Sequence, residues 1–360
     1  MYEHVVQSLH SILFEGSLHE TIWGGQRLGL YGWKRLPSPD IAVGESWETE
    51  INTVAQNEPY QGKTLGRLVE DLGIALLGKQ TITIFGHRFP LLAKFIDANA
   101  KLSVQVHPDD HYAATFEGGK LGKTEFWYIL AAEPRATVVH GFKVPTSSTQ
   151  VRKAIEDVTL ENLLQEEYVA AGDVIFVPAG TVHAIGSGIL LYELQEYSDI
   201  TYRMYDYGRL TANGIPRELH INKSLEVSNY NVSPRIKVQP VPLADKNGYE
   251  DRCLVACQYF VTREITLQQK DAVSGYMNGS TEGSCIILTA LSSEVQVRYG
   301  NVLRYSLSLA RGQTMVLPAA LGDYGIEGEG VLMFSYVPGS GDEAWQAWEE
   351  KNGVAVPVEE

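Results

Sequence analysis

A segment near the middle of the chain is echoed near its end, and this echo constrains the fold more than any local pattern. AGDVIFVPAGTVHAI, from Ala171, aligns with RGQTMVLPAALGDYGI, from Arg311, at an offset of 140. Gly172 meets Gly312, Pro178 meets Pro318 and Ala179 meets Ala319. Each copy reads as a Gly turn, a short apolar strand and a Pro turn. Two copies in 360 residues imply two related β-barrel units. The 19 Tyr, 34 Gly and many short apolar runs favour the same class. A Pro-rich, polar stretch over residues 231–248 predicts the division, giving units 1–235 and 236–360.

Short helices are inserted into this β framework. The apolar spacing and Thr start predict a helix over 64–78. Asp109 and Asp110 begin a short one through HYAATF, which explains one Asp as an N-cap. Residues 148–167 read as two short helices broken near Val158 and Thr159. RELHINKSLEVSNY and DEAWQAWEEK are expected to close the two units as helices.

The two copies differ in chemistry. In the first unit, Gln105 and His107 stand two apart in LSVQVHPDD, so a strand turns both to one face. Glu125 opens the strand-like run EFWYIL, and His183 follows VIFVPAG and its turn. Two imidazoles, a carboxylate and an amide oxygen suit a divalent ion of intermediate softness, zinc first. His87, His111, His140 and His220 read as ordinary histidines outside this set. In the second copy His183 falls opposite Asp323, and no Gln-x-His precedes it. The second unit is therefore expected to be metal-free and structural.

Further candidates cluster around the ligands. Ser103 and Lys123 each precede a ligand by two residues and share its inward face. Glu193 and Glu196 differ by three, so one of them points inward; Arg203 and Arg209 follow. The net charge of −15 excludes nucleic acid as a partner, because a phosphate backbone needs a basic stripe. No basic segment leads into an apolar one at the N-terminus, and no apolar run approaches the ~20 residues of a membrane helix. Three cysteines, odd in number and without CxxC spacing, read as reduced thiols. A cytoplasmic protein without membrane attachment is expected, and the sequence sets no oligomeric state.

FPLLAKFIDANAKLSVQVHPDD, GKTE, PAGTVHAIG and ELQEYSDITYRMYDYGR carry a resemblance, with weaker echoes in WGG at 23–25 and GESWE at 44–48. Together they resemble the type I mannose-6-phosphate isomerases (phosphomannose isomerases) of the short bacterial kind, within the cupin superfamily. The resemblance covers roughly residues 20–210 well and the remainder loosely. It implies a mainly β fold of two cupin-like, jelly-roll units with a few inserted helices. It also implies one Zn2+ on Gln105, His107, Glu125 and His183, and interconversion of mannose 6-phosphate and fructose 6-phosphate through an enediol. Glu193 would carry the proton. Arg203 matches the family's active-site arginine and, staying protonated, would hold negative charge. Lys123 would be a cationic cleft residue, with Ser103 and Arg209 seating the phosphate. Lys123, Arg203 and Arg209 would thus make a local positive pocket in an acidic protein. Phe126 departs from the smaller or sulfur-bearing residue of the family pattern and is expected to reshape a pocket wall.

Two other classes fit part of the pattern. A cupin-type non-haem metal oxygenase uses two His and a carboxylate, but a fourth ligand and three cations count against it. A non-catalytic, two-barrel sugar-binding protein would hold its metal in a closed shell. Fold alone does not choose between them.

Overall fold

The computed structural model describes residues 9–353 except 212, 233–235, 247, 270–273 and 282. Four antiparallel sheets are stacked in two pairs. In the first unit a six-stranded sheet runs Ser17–Gly25, Val43–Trp47, Leu91–Ala98, Ile189–Glu196, Glu125–Ala132, Val174–Val177. It faces a five-stranded sheet ordered Tyr202–Tyr205, Val104–Val106, His183–Ile185, Thr137–Phe142, Leu164–Tyr168. In the second unit Val241–Lys246, Tyr249–Ala256, Val261–Leu267, Gly330–Tyr336, Ile286–Ala290 and Thr314–Leu317 repeat the six-strand order. Its opposite sheet is Gly275–Ser280, Asp323–Gly328, Val295–Tyr299, Tyr305–Leu309. The fold is mainly β and cupin-like. The echoed strands Val174–Val177 and Thr314–Leu317 occupy the same place in their sheets.

One strand crosses the expected division. Ile12–Phe14 pairs with Thr314–Val316 and extends the second unit's large sheet to seven strands. The expected boundary lies between helix Ile221–Val227 and strand Val241–Lys246, and residues 233–235 fall outside the described set.

Alternation along the strands explains the layers. On Ile189–Glu196, Leu191 joins Ile96, Trp127, Val138 and Ile185 inside the first unit. Leu190, Tyr192 and Leu194 point the other way, into a core shared with Leu254, Phe260, Ile287 and Met333 of the second unit. The two large sheets therefore pack face to face, and Ile189–Glu196 is buried along its whole length. Phe126 lies in this shared core, its ring 6.0 Å from that of Phe260. The expectation that it shapes the pocket wall is corrected: period-two alternation turns it away from Glu125 and toward the second unit. Beyond the five-stranded sheet, helices Ser148–Glu156 and Ile221–Val227 cover a further core of Val104, Val106, Val151 and Leu225.

Two local expectations change. The stretch over 64–78 is two helices, Leu65–Leu72 and Ile74–Leu77, because Gly73 at φ 51° breaks it. Thr64 caps the first, accepting a hydrogen bond from the Arg67 amide. The second helix expected within 148–167 is a single 3-10 turn, Leu160–Asn162, followed by strand Leu164–Tyr168. Pairing with Thr137–Phe142 outweighs the helical propensity of LLQEE.

Candidate metal centre and cleft

The two facing sheets of the first unit each contribute half of the site. In the smaller sheet Gln105 stands between two neighbours in register, His183 on one side and Arg203 on the other. His107 leaves the same strand one residue past its end. The turn carrying His183 is tied to it, since the Gly180 amide donates to the His107 carbonyl at 2.8 Å. Gly180 makes that turn at φ 82°, and a Cβ there would meet the Val227 carbonyl at 3.0 Å. In the larger sheet Glu193 is opposite Lys94 on one side and Trp127 on the other, with Glu125 at the end of the same strand as Trp127.

His107, Glu125 and His183 converge, with one ligand atom from each lying within 4.8 Å of the others. All three are buried. His107 Nδ1 is 2.7 Å from the Ile200 carbonyl and His183 Nδ1 is 2.8 Å from the Thr181 carbonyl. A carbonyl only accepts, so each Nδ1 carries the proton and each Nε2 presents a lone pair to the centre. Burial, then the Lys123 charge, holds the His107 imidazole well below its ordinary value. Burial likewise lowers His183 to about 4, so both rings are neutral, as ligation requires. The Nε2 atoms lie 3.6 and 3.4 Å from the two Glu125 oxygens. Neither of those buried oxygens accepts a hydrogen bond of acceptable geometry among the described residues, although Lys123 Nζ is 2.7 Å from one. Gln105 turns its amide to within 3.3 Å of His183 Nε2. A half-turn of that amide presents its oxygen instead.

Charge at the centre is unbalanced. Glu45, Glu125 and Glu193 face two ammonium groups, Lys94 and Lys123. Two neutral imidazoles complete the set. Buried negative charge of this kind is normally paired or binds a metal. The residues present therefore fit a divalent cation, and the donor set of two nitrogens and oxygens suits zinc among others.

Above the centre lies a cavity of about 380 Å³. Ser103, Gln105, Lys123, Glu193 and Arg203 line it, together with Glu45, Lys94 and Arg217. Glu193 is held by the Trp127 indole N–H at 3.0 Å and by Lys94 at 3.4 Å. Burial, then the neighbouring Glu125, raises its carboxyl above the usual range. Glu196 faces away and accepts from the Thr124 amide at 2.8 Å. Arg203 donates to the Glu218 carbonyl through Nη1, while its Nε is buried with no partner among the described residues. Arg209 is not among the lining residues. Its guanidinium is turned onto Asp206 Oδ1 and the Lys101 carbonyl. Arg217 lines the cavity while bonding the same Asp206.

Sequence reasoning passed over Lys94, Glu45 and Arg217. Lys94 did have a signal, as an ammonium in the wholly buried strand LLAKFIDA. Glu45 sat in the noted GESWE without a partner to give it meaning. Arg217 lies in a loop, and no spacing marks it. Of the histidines left outside the ligand set, His140 is buried beside His183 in the ladder and bonded to the Phe176 carbonyl.

A family model for the type I phosphomannose isomerase catalytic domain matches residues 12–124. The mannose-6-phosphate isomerase ManA of Bacillus subtilis is 35% identical over 336 residues, covering 91% of this chain and 98% of that protein. A mannose-6-phosphate isomerase of Streptococcus mutans is 32% identical, covering 90% and 98%. The crystal structure of the Bacillus subtilis mannose 6-phosphate isomerase superposes with a TM-score of 0.79 at 31% identity, over 91% and 99% of the two chains. A mutant phosphomannose isomerase from Salmonella typhimurium shares the fold, with a TM-score of 0.71 at 16% identity over 91% and 100%. Identity at this level over nearly the full length, joined to the buried His–Glu–His centre, places the chain in the type I mannose-6-phosphate isomerase family.

Proposed function

We propose that this chain is a metal-dependent isomerase that interconverts mannose 6-phosphate and fructose 6-phosphate in the cytoplasm. The observation that carries the reading is the buried His107–Glu125–His183 centre, which adjoins through Gln105 and Lys123 a cavity whose walls also carry Glu193 and Arg203. Gln105, His107, Glu125 and His183 would hold one zinc ion. When bound, such an ion supplies Lewis-acid polarisation of the sugar oxygens.

The rest of the chemistry falls to the chain's own groups. Glu193 takes the proton from C2 of the aldose and returns it to C1, while the hydroxyl proton of O2 passes to O1. The product is the ketose, and the intermediate is a cis-enediol. Raising a buried carboxylate's affinity for protons, as at Glu193, makes it the better base for this transfer. Trp127 and Lys94 fix its orientation. Lys123 and the unpartnered Nε of Arg203 hold negative charge on the wall. Ser103 offers a hydroxyl at the same wall, and Arg217 stands beside Arg203 where a phosphate needs cations. Arg209 acts from behind by sharing Asp206 with Arg217. Three guanidinium groups against two carboxylates, Asp206 and Glu218, leave that end of the cavity positive within an acidic chain.

Turnover of mannose 6-phosphate, with metal analysis of the same sample, tests this. About one zinc per chain and reversible conversion are expected. His183→Ala should lose both while keeping a native circular dichroism spectrum. Equal kcat/KM for mannose and its 6-phosphate would overturn the phosphosugar reading, since remote phosphate binding energy should organise the reacting centre.

A further inference from the structure

The strand orders of the two units match, and the pairings around the centre show what stands at each place in the second unit. Lys94 is opposite Glu193, and Arg263 is opposite Phe334. Gln195 is opposite Glu125, and Tyr336 is opposite Ile286. His183 is opposite Gln105 and His140, and Tyr324 is opposite Gly279 and Tyr299. The inward counterpart of His183 is thus Tyr324; Asp323, its partner in the ungapped echo, is exposed. Ile286 replaces the metal carboxylate, and Phe334 replaces Glu193. One charged device persists. Lys94 pairs with Glu45, and Arg263 pairs with Asp251, whose place relative to Arg263 is that of Glu45 relative to Lys94.

A cavity persists as well. About 280 Å³ is open among Tyr249, Arg263, Asn278, Tyr324, Phe334 and Tyr336. A barrel serving only as support would gain by filling such a space with apolar side chains, and a buried Arg–Asp pair is costly to keep without use. The lining combines aromatic rings, which pack against the C–H faces of a sugar, with hydroxyl, amide and guanidinium groups for its oxygens. Asp251 holds Arg263 through two contacts, which cancels its charge and disfavours an anionic ligand.

We propose that the second unit's cavity binds one neutral monosaccharide of the aldohexose class and, having no metal-ligand trio among its described residues, leaves it unconverted. The probe is D-mannose, titrated against the zinc-loaded protein by saturation-transfer NMR. Three proteins are compared: wild type, Gly279→Leu and His183→Ala. Gly279 lines the cavity opposite Tyr324, and a Cβ there would meet the Tyr324 hydroxyl, so a leucine side chain enters the space the sugar would occupy. Binding by the wild type and by His183→Ala, with at least a tenfold loss in Gly279→Leu, is the expected result. Tyr324→Phe, which removes a single hydroxyl, should also weaken binding severalfold. Binding lost in His183→Ala but unchanged in Gly279→Leu would place the sugar in the first unit and overturn the proposal. So would the absence of any saturation transfer, or tighter binding of mannose 6-phosphate than of mannose at the Gly279-sensitive site. Isomerase turnover is measured separately, so its failure would leave this result readable.

Discussion

Replacing Lys94 with Met should cost this protein much of its stability, in a way that depends on pH. The ammonium lies 3.3 Å from Glu45 and 3.4 Å from Glu193, and all three side chains are largely removed from solvent. Each attraction is worth about 5 kcal/mol at an effective dielectric of about 20. Desolvation of the ions offsets most of that, but removing one partner strands the others, which costs about 3–5 kcal/mol. Lys94 pulls Glu45 below its ordinary 4.5 against the opposing effect of burial. That contribution is present above pH 4.5 and is lost as pH falls through the lower folded value. Without Lys94 it disappears, and Glu193, already raised by burial, rises further. The penalty should therefore be largest near pH 8 and shrink toward pH 4, where the carboxyls are protonated. Urea unfolding at fixed free zinc, followed by tryptophan fluorescence, measures it. Adding Glu45→Gln to Lys94→Met should restore part of the loss. A Lys94→Met protein within about 0.5 kcal/mol of wild type at pH 8, or a penalty that grows as pH falls, would refute the reasoning.

Phe126→Ala should destabilise by about 3–5 kcal/mol, because a fully buried ring in the core between the units leaves a cavity; metal content, measured on the folded protein, should be unchanged, since the ring faces away from Glu125. If Arg203 holds transition-state charge as proposed, through an Nε without a partner among the described residues, Arg203→Ala should lower kcat more than it raises KM, as measured by steady-state kinetics on mannose 6-phosphate.

Much of the architecture was legible because it rests on periodicity. The repeated Gly turn, strand and Pro turn landed in the same place of two related sheets, and Gln-x-His spacing put both side chains on one strand face. Alternation allowed only one of Glu193 and Glu196 to face inward, and the family resemblance, not the spacing, chose Glu193. What alternation does not carry is register across strands, and there the reading slipped. An ungapped echo put Asp323 where pairing puts Tyr324. Arg209 and Arg217 are equally basic in the text, and only a loop contact with Asp206 decides which one reaches the cavity. Lys94 shows the converse, as its strand was quoted while its charge went unused, because the acids that justify it lie on two other strands.

The strand Ile12–Phe14 has a consequence for how this molecule is made. Ile12 meets Val316, so this segment finds its place only against one synthesised some 300 residues later. Until then the strand is tied only on its other side, where Phe14 bridges to Ala55 and the Gln56 amide donates to the Leu13 carbonyl. Loop closure over some 300 residues is a late event, and the second unit's large sheet stays open-edged while it waits. The seam is then locked from the first unit, where Lys34 bonds both Glu48 and the Gly312 carbonyl. The two units resemble each other as repeats do, yet they cannot be parted at residue 235 as repeats can: a fragment starting there would carry a sheet missing its outermost strand.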